Sequence, residues 1–122
     1  MRGTITTDDF KITLNHGEEA ALVCLNGRLN IDSSPALRDR LLAVLRGPSP
    51  KSIVVDLTEV SYIDVSGLAT LLEGLKLARN RQTILCLKGL QGRPLHLFEV
   101  TGLLALFETY GGKSTSSALR VS

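Results

Sequence analysis

Residues 53–68 read IVVDLTEVSYIDVSGL, and this stretch decides the fold. Residues 52–57 are rich in β-branched side chains on both faces, which is typical of a parallel strand covered by helices. Residues 58–64 predict a loop, slightly longer than the ~2–6 residues usual between a strand and a helix. Ser66 then lies at the N-terminal end of a segment with a strongly apolar helical pattern. We therefore expect a strand, a loop and a helix, with one serine hydroxyl at the helix N-terminus.

Strand and helix patterns continue on both sides of this stretch. Phe10, Ile12 and Leu14 alternate with polar residues, as in a half-buried strand. An Asp-Ser-Ser-Pro sequence ending at Pro35 signals the start of a helix that stops near Gly47. Residues 103–106 are too few to classify by period. The other predicted elements are strands at 20–25 and 83–87, a helix at 66–80, a helix from about 94 to 101 with Leu95, Phe98 and Val100 facing inward, and a short last strand at 107–110.

The resulting order, β-β-α-β-α-β-α-β, predicts an α/β fold, because helices that connect parallel strands cross over the sheet. We expect a single domain with a mixed sheet of four to five strands, an antiparallel edge strand and helices packed on the sheet. This domain is expected in residues 1–112. Residues 113–122 are polar and predict a flexible C-terminal tail.

Composition indicates a globular protein and excludes several classes of function. Of 122 residues, 43% are apolar and 21% are charged, and the net charge is +2. This charge is too small to indicate direct binding to nucleic acid. No apolar run reaches the length of a membrane span, and no signal-peptide core is present, so we expect a cytoplasmic protein without membrane insertion. Cys24 and Cys86 lie in apolar runs, which predicts reduced, buried thiols and no metal or cofactor.

Two polar loops are expected to share one edge of the sheet. Loops that follow parallel strands leave from the carboxyl ends of those strands, where function tends to lie. One loop spans residues 30–34 and the other precedes Ser66. We therefore predict a partner-binding edge formed by Asn30, Asp32, Ser33, Ser34, Tyr62, Asp64, Val65, Ser66 and Gly67.

The hydroxyl of Ser66 has two interpretations that the local sequence leaves open. It can cap the helix, typically contributing about 1 kcal/mol, or it can accept a phosphate, whose charge a helix N-terminus favours. Asp64 is likewise a candidate capping carboxylate, and Gly67 suits a crowded turn. A catalytic triad is not expected, because His16 lies in the first hairpin and His96 on the third helix. We predict no catalytic residues and no enzyme activity.

Several short segments occur in an order and spacing that are specific together, although each is weak alone. The strongest are residues 63–68, which read IDVSGL, and residues 101–103, which read TGL. Residues 26–29, 34–38 and 53–57 are the others. Together, over residues 10–110, they resemble the STAS domains, and among these the small single-domain anti-sigma-factor antagonists (anti-anti-sigma factors) of bacteria.

The resemblance implies a non-enzymatic module that acts in transcription control by partner switching. The unphosphorylated form would bind an anti-sigma factor that is also a serine-protein kinase, and so release a sigma factor. Phosphorylation of Ser66 would end that binding, and a serine phosphatase would restore it. Asp64 and Gly67 occupy the motif positions around the acceptor.

Two positions depart from the pattern of the family. Val65 stands where many relatives have a second small hydroxyl residue, and Asn30 stands where an Asp is frequent, with Asp32 displaced by two residues. An alternative role for such a domain is as a subunit of a membrane complex for lipid or anion transport, or as a scaffold in stress signalling. A monomer or weak dimer is expected.

Overall fold

The computed structural model describes residues 2–7, 10–17 and 19–110. Its elements are β1 Arg2–Thr7, β2 Phe10–His16, β3 Ala20–Leu29, α1 Ser34–Arg46, β4 Ser52–Ile63, α2 Val65–Asn80, β5 Ile84–Lys88, α3 Gly92–Val100 and α4 Leu103–Tyr110. The predicted tail at 113–122 and the domain boundary at residue 112 lie outside the described residues.

The strands form one five-stranded sheet in the order β1-β2-β3-β4-β5. β2 is antiparallel to both β1 and β3, whereas β3, β4 and β5 are parallel to one another. The predicted α/β class and the mixed sheet with an antiparallel edge are confirmed. The first strand, β1, was not predicted from the sequence.

The helices cover one face of the sheet. In β2, in β5 and in the first halves of β3 and β4, buried and less buried side chains alternate, so that Ile12, Val23, Val55 and Leu85 are buried on the helical side. The residues between them are less buried, for example Val54. Both crossovers step in the same direction along the sheet, and right-handed connections then place α1 and α2 on the same side. Within residues 10–110, helices therefore cover one face of β4, whereas its apolar side chains on both faces had suggested cover on both.

The predicted loop at 58–64 was wrong as well, because β4 continues to Ile63. In this second half of β4, burial recurs every third residue, at Leu57, Val60 and Ile63. The pairing with β3 contains two register shifts, between Cys24 and Asn26 and between Gly27 and Arg28. These irregularities break the period of two by which a strand is predicted from sequence.

The C-terminal elements also differ from the prediction. Residues 107–110 belong to helix α4 rather than to a strand, since they continue the apolar run that starts at Leu103. The ring of Phe107 packs edge to face on Phe98 of α3, with centroids 5.7 Å apart. Val100 does not face inward as predicted; its side chain is 64% exposed. Phe98 and Phe107 instead close the core at the end of the helical layer.

Candidate docking site at the ends of two parallel strands

The site lies where β3 and β4 end side by side. Leu29 and Ile63 are paired in the register, and the N–H of Asp64 donates to the carbonyl oxygen of Leu29 at 3.2 Å. The loop before α1 and the start of α2 therefore leave the sheet from neighbouring points. The structure brings together the two segments that the sequence assigned to one edge.

Asp64 is the N-cap of α2. Its backbone is extended, and its Oδ1 accepts a hydrogen bond from the N–H of Gly67 at 3.1 Å. Ser66 is the second residue of the helix and lies two positions after Asp64, too far into the helix to serve as the N-cap. The capping interpretation of Ser66 was therefore wrong, and that of Asp64 is confirmed. The half-buried Ser66 hydroxyl stands in the first turn, where the helix N–H groups carry partial positive charge.

Gly67 lets α2 approach the end of β3 closely. A Cβ atom at this position would lie 2.8 Å from both the Cγ and the carbonyl oxygen of Leu29, and 3.0 Å from the Cγ2 of Ile63. No side chain fits in that space without a shift of the helix or of β3. Gly67 thereby fixes the position of Ser66 relative to the neighbouring loop.

The loop before α1 is held by its own polar side chains. Asn30 Oδ1 accepts from the N–H groups of Asp32 at 2.9 Å and Ser33 at 3.2 Å. Ser33 Oγ donates to the carbonyl oxygen of Arg28 at 2.7 Å, and Ser34 Oγ donates to that of Asn30 at 2.6 Å. Ser33 and Ser34 are buried, so these hydroxyls shape the loop instead of facing a partner. Asp32 is exposed at its tip.

Apolar side chains project from this edge into solvent. Five large hydrophobic side chains are exposed in the described part of the chain, and three of them lie here: Val65 at 79%, Ile31 at 70% and Tyr62 at 37%. The guanidinium carbon of Arg28 lies 4.2 Å from the centroid of the Tyr62 ring, which orients both side chains. Exposed apolar groups beside polar ones are typical of a surface that binds a protein.

Ile31 is a site residue that the sequence analysis missed. The only local signal is one large β-branched residue between the polar residues Asn30 and Asp32. Because the Asn30 side chain fixes the turn by hydrogen bonds to the following N–H groups, Ile31 is held outward at its tip.

The histidines lie away from this edge. His16 pairs with Ala21 at the opposite end of β3 from Leu29, and His96 is exposed on α3. Among the described residues, no group of three or more His, Cys, Asp or Glu side chains is arranged to hold a metal ion. Within the same residues, no helix combines the length and apolarity needed to cross a membrane.

A family model described as Mlab, STAS domain, matches residues 12–108 of this sheet-and-helix unit. The chain belongs to the STAS domain family. The match includes the whole edge around Ser66, and it confirms the family to which the sequence segments pointed.

Curated relatives of this STAS domain are named as antagonists of anti-sigma factors. This chain is 48% identical to the anti-sigma-B factor antagonist of Listeria monocytogenes over 54 residues, which cover 44% of this chain and 47% of that protein. The match thus spans about half the length of that relative. It is 32% identical to the anti-sigma-B factor antagonist of Staphylococcus aureus over 90 residues, which cover 74% and 82% of the two chains. Both names describe an antagonist of another regulatory protein, and neither names an enzymatic activity.

Solved structures share the STAS fold. An anti-sigma factor antagonist from Mycobacterium paratuberculosis superposes with a TM-score of 0.73 at 20% identity, over 84% of this chain and 86% of that one. The Bacillus cell fate determinant SpoIIAA in its phosphorylated form superposes with a TM-score of 0.64 at 17% identity, over 75% and 84%.

Proposed function

We propose that this STAS domain is an anti-sigma factor antagonist that binds an anti-sigma factor through the edge formed by the ends of β3 and β4. The partner is a serine-protein kinase as well as an anti-sigma factor, and its capture frees a sigma factor. The observation that carries the proposal is the cluster of exposed Ile31, Tyr62 and Val65 around Ser66. The names of the relatives support the same role.

Ser66 is the proposed phosphate acceptor. Since Asp64 already caps α2, the Ser66 hydroxyl is not needed for that purpose. A phosphate there adds about −1.5 to −2 charges at neutral pH, and the N-terminus of a helix stabilises such charge. The fold should therefore persist after phosphorylation. A phosphorylated form described for the structurally similar SpoIIAA supports the assignment.

The same phosphate should weaken the docked complex. It would add charge beside the Asp64 carboxylate and between Val65 and Gly67, at the centre of the contact surface. Desolvating that charge against a partner can cost several kcal/mol, and each ~1.4 kcal/mol is a tenfold loss of affinity. Phosphorylation thus acts on binding and leaves folding intact. A serine phosphatase would return the domain to the binding form.

The test uses the anti-sigma factor kinase from the same genome. Binding is measured by calorimetry for the wild type, Ser66→Ala and Ser66→Asp, and the site labelled with ATP is mapped by mass spectrometry. We expect label on Ser66, none on Ser66→Ala, and a more than tenfold weaker affinity for Ser66→Asp. Ser61→Ala, at an exposed serine of β4, is the matched control and should be labelled normally. Label on another residue, or tight binding by Ser66→Asp, would refute the switch.

A further inference from the structure

The edge formed by the ends of β3 and β4, called the docking edge here, carries an arginine that an aromatic ring holds in place. Arg28 of β3 pairs in the register with Tyr62 of β4, and both side chains are exposed. The guanidinium carbon of Arg28 lies 4.2 Å from the centroid of the Tyr62 ring. Stacking of this kind restricts the rotamers of a long side chain that is otherwise flexible. Arg28 therefore loses less conformational freedom when it binds a further group.

An irregularity in the sheet sets the direction in which this pair projects. The pairing of β3 with β4 shifts in register between Gly27 and Arg28, and Gly27 has a φ of 109°. Glycine adopts such a positive φ without steric cost, and irregularities of this type re-aim the side chains near them. The Ser61 hydroxyl donates to the carbonyl oxygen of Gly27 at 3.4 Å across the two strands. The backbone around Gly27 thus presents Arg28 and Tyr62 together at the end of the sheet.

The charge of Arg28 has no counterpart within the described part of the chain. Arg38 contrasts with it, because Arg38 Nε lies 3.0 Å from Oε1 of Glu73, whereas Arg28 forms no ion pair with a described residue. The stack on Tyr62 occupies one planar face of the guanidinium, and the N–H donors point outward in the plane of the group. Since Arg28 is exposed, these donors are available to an acceptor outside the chain.

Neighbouring charges indicate which acceptor fits. Asp32 is exposed at the loop tip, Glu59 is exposed on β4, and the Asp64 carboxylate caps α2. These carboxylates would repel a nucleic acid or another polyphosphate, which binds to a continuous basic surface. A side-chain carboxylate carries one negative charge and matches the planar fork of a guanidinium with two parallel hydrogen bonds. The docking edge therefore suits a protein that presents a carboxylate to Arg28.

We propose that Arg28, held by Tyr62, binds an aspartate or glutamate side chain of the anti-sigma factor in a bidentate ion pair, a step that rests on the function proposed above. The partner then presents this carboxylate beside the apolar side chains that contact Ile31 and Val65. Arginine and tyrosine are both enriched among the residues that dominate the energy of protein interfaces. The geometry of the fork fixes the orientation of the partner on the docking edge.

Calorimetry with the anti-sigma factor kinase from the same genome tests the ion pair. Arg28→Ala should weaken binding about tenfold and Arg28→Glu about 100-fold, because two carboxylates then face each other. Arg28→Lys keeps the charge without the planar fork and should recover only part of the affinity. Arg46→Glu is the matched control, since it lies in the last turn of α1, away from the docking edge, and changes the net charge equally. It should bind like the wild type.

A double-mutant cycle tests whether Tyr62 positions Arg28. Tyr62→Phe keeps the ring and should bind like the wild type, whereas Tyr62→Leu releases Arg28 and should weaken binding about threefold. Arg28→Ala should then cost less affinity in the Tyr62→Leu background than in the wild type. An equal cost in both backgrounds would overturn the positioning role of Tyr62.

The salt dependence of binding is a second measurement. The affinity of the wild type should fall as the salt concentration rises, and that of Arg28→Ala should fall less steeply. An affinity of Arg28→Glu as high as that of the wild type overturns the ion pair, and so does an equal loss for Arg46→Glu. Urea unfolding completes the test. A lower stability of Arg28→Ala with an unchanged affinity would make Arg28 a structural residue and overturn its role in binding.

These outcomes are distinct from those of the proposed switch. If Ser66→Asp releases the kinase while Arg28→Glu still binds it tightly, only the ion pair is refuted. If Arg28→Glu loses binding but the kinase labels a residue other than Ser66, the ion pair stands and the switch is refuted. If the wild type does not bind the kinase, both are refuted.

Discussion

Replacement of Gly67 by alanine tests whether close approach of α2 to β3 builds the docking edge. The added Cβ would lie 2.8 Å from the Leu29 carbonyl oxygen and from Leu29 Cγ, and 3.0 Å from Ile63 Cγ2. The carbonyl is backbone and also accepts a hydrogen bond from the Asp64 N–H at 3.2 Å, so it cannot simply rotate away. The start of α2 must move instead.

The expected cost combines two opposing effects. Overpacking of a well-packed site typically costs ~1–3 kcal/mol. Alanine is favoured over glycine within a helix by up to ~1 kcal/mol, which offsets part of that cost. We therefore expect Gly67→Ala to lower the free energy of unfolding by about 1–2 kcal/mol, or Tm by about 3–10 °C for a chain of this size.

Gly74→Ala is a matched control in the same helix. Its Cβ would also meet an atom at 2.8 Å, but that atom is Cδ1 of Leu41, the far end of a flexible side chain. The side chain can turn aside while the helix gains alanine propensity, so the stability should change by less than about 1 kcal/mol.

Urea unfolding followed by far-ultraviolet circular dichroism measures both variants, since the chain has no Trp to serve as a fluorescent probe. Gly67→Ala should also bind the anti-sigma factor more weakly, because Ser66 and Val65 move with the helix. If the two variants are equally stable, or if Gly67→Ala is as stable as the wild type, the close contact with Leu29 does not restrict position 67 to glycine.

Three further predictions concern capping, thiols and binding. Asp64→Ala should cost about 1 kcal/mol in urea unfolding by removing the N-cap, whereas Ser66→Ala should change stability little; the reverse order would make Ser66 the cap. Burial raises the pKa of the Cys86 thiol, and burial followed by the Asp56 carboxylate raises that of Cys24. As the pH rises, these thiols therefore lose their protons in the unfolded chain before they do in the folded one, so the free energy of unfolding should fall above about pH 8.5–9. The fall should be shallower for Cys86→Ala than for the wild type. Equal pH dependence in the two proteins would show that the Cys86 thiol does not contribute. Ile31→Ala and Val65→Ser should each weaken binding of the anti-sigma factor about 5- to 30-fold in calorimetry by removing ~1–2 kcal/mol of apolar contact, while Val100→Ser should not; three equal affinities would place the interface elsewhere.

Elements with a regular period were predictable from the sequence. The β2 strand alternates cleanly, and α2 carries an apolar stripe that ends in basic residues, so both were identified close to their true bounds. The prediction ended β4 at residue 57 because bulges in the second half of β4 change its period of burial. α4 was taken for a strand in part because an eight-residue apolar segment gives too few turns to establish a helical period.

The candidate site was predictable in its location but not in its chemistry. Asp64, Ser66 and Gly67 were identified from their motif and from the rule that loops gather at the ends of parallel strands. Which oxygen caps the helix depends on where the first helical residue lies: because α2 begins at Val65, the N-cap is Asp64 and not Ser66, which lies two residues later. Ser33 and Ser34 looked like surface residues, yet their hydroxyls bond inward to Arg28 and Asn30.

By itself the sequence determined the family, the α/β order of elements and the presence of one serine at the start of α2. These follow from short-range signals, namely periodicity, turn residues and a motif, which the chain carries wherever it folds. Only the tertiary structure decided that Ile31 and Val65 are exposed beside Ser66 and that Gly67 packs closely against Leu29. Those features depend on the packing of segments that are distant in the chain, and the local sequence does not determine which side chains remain exposed to solvent after that packing.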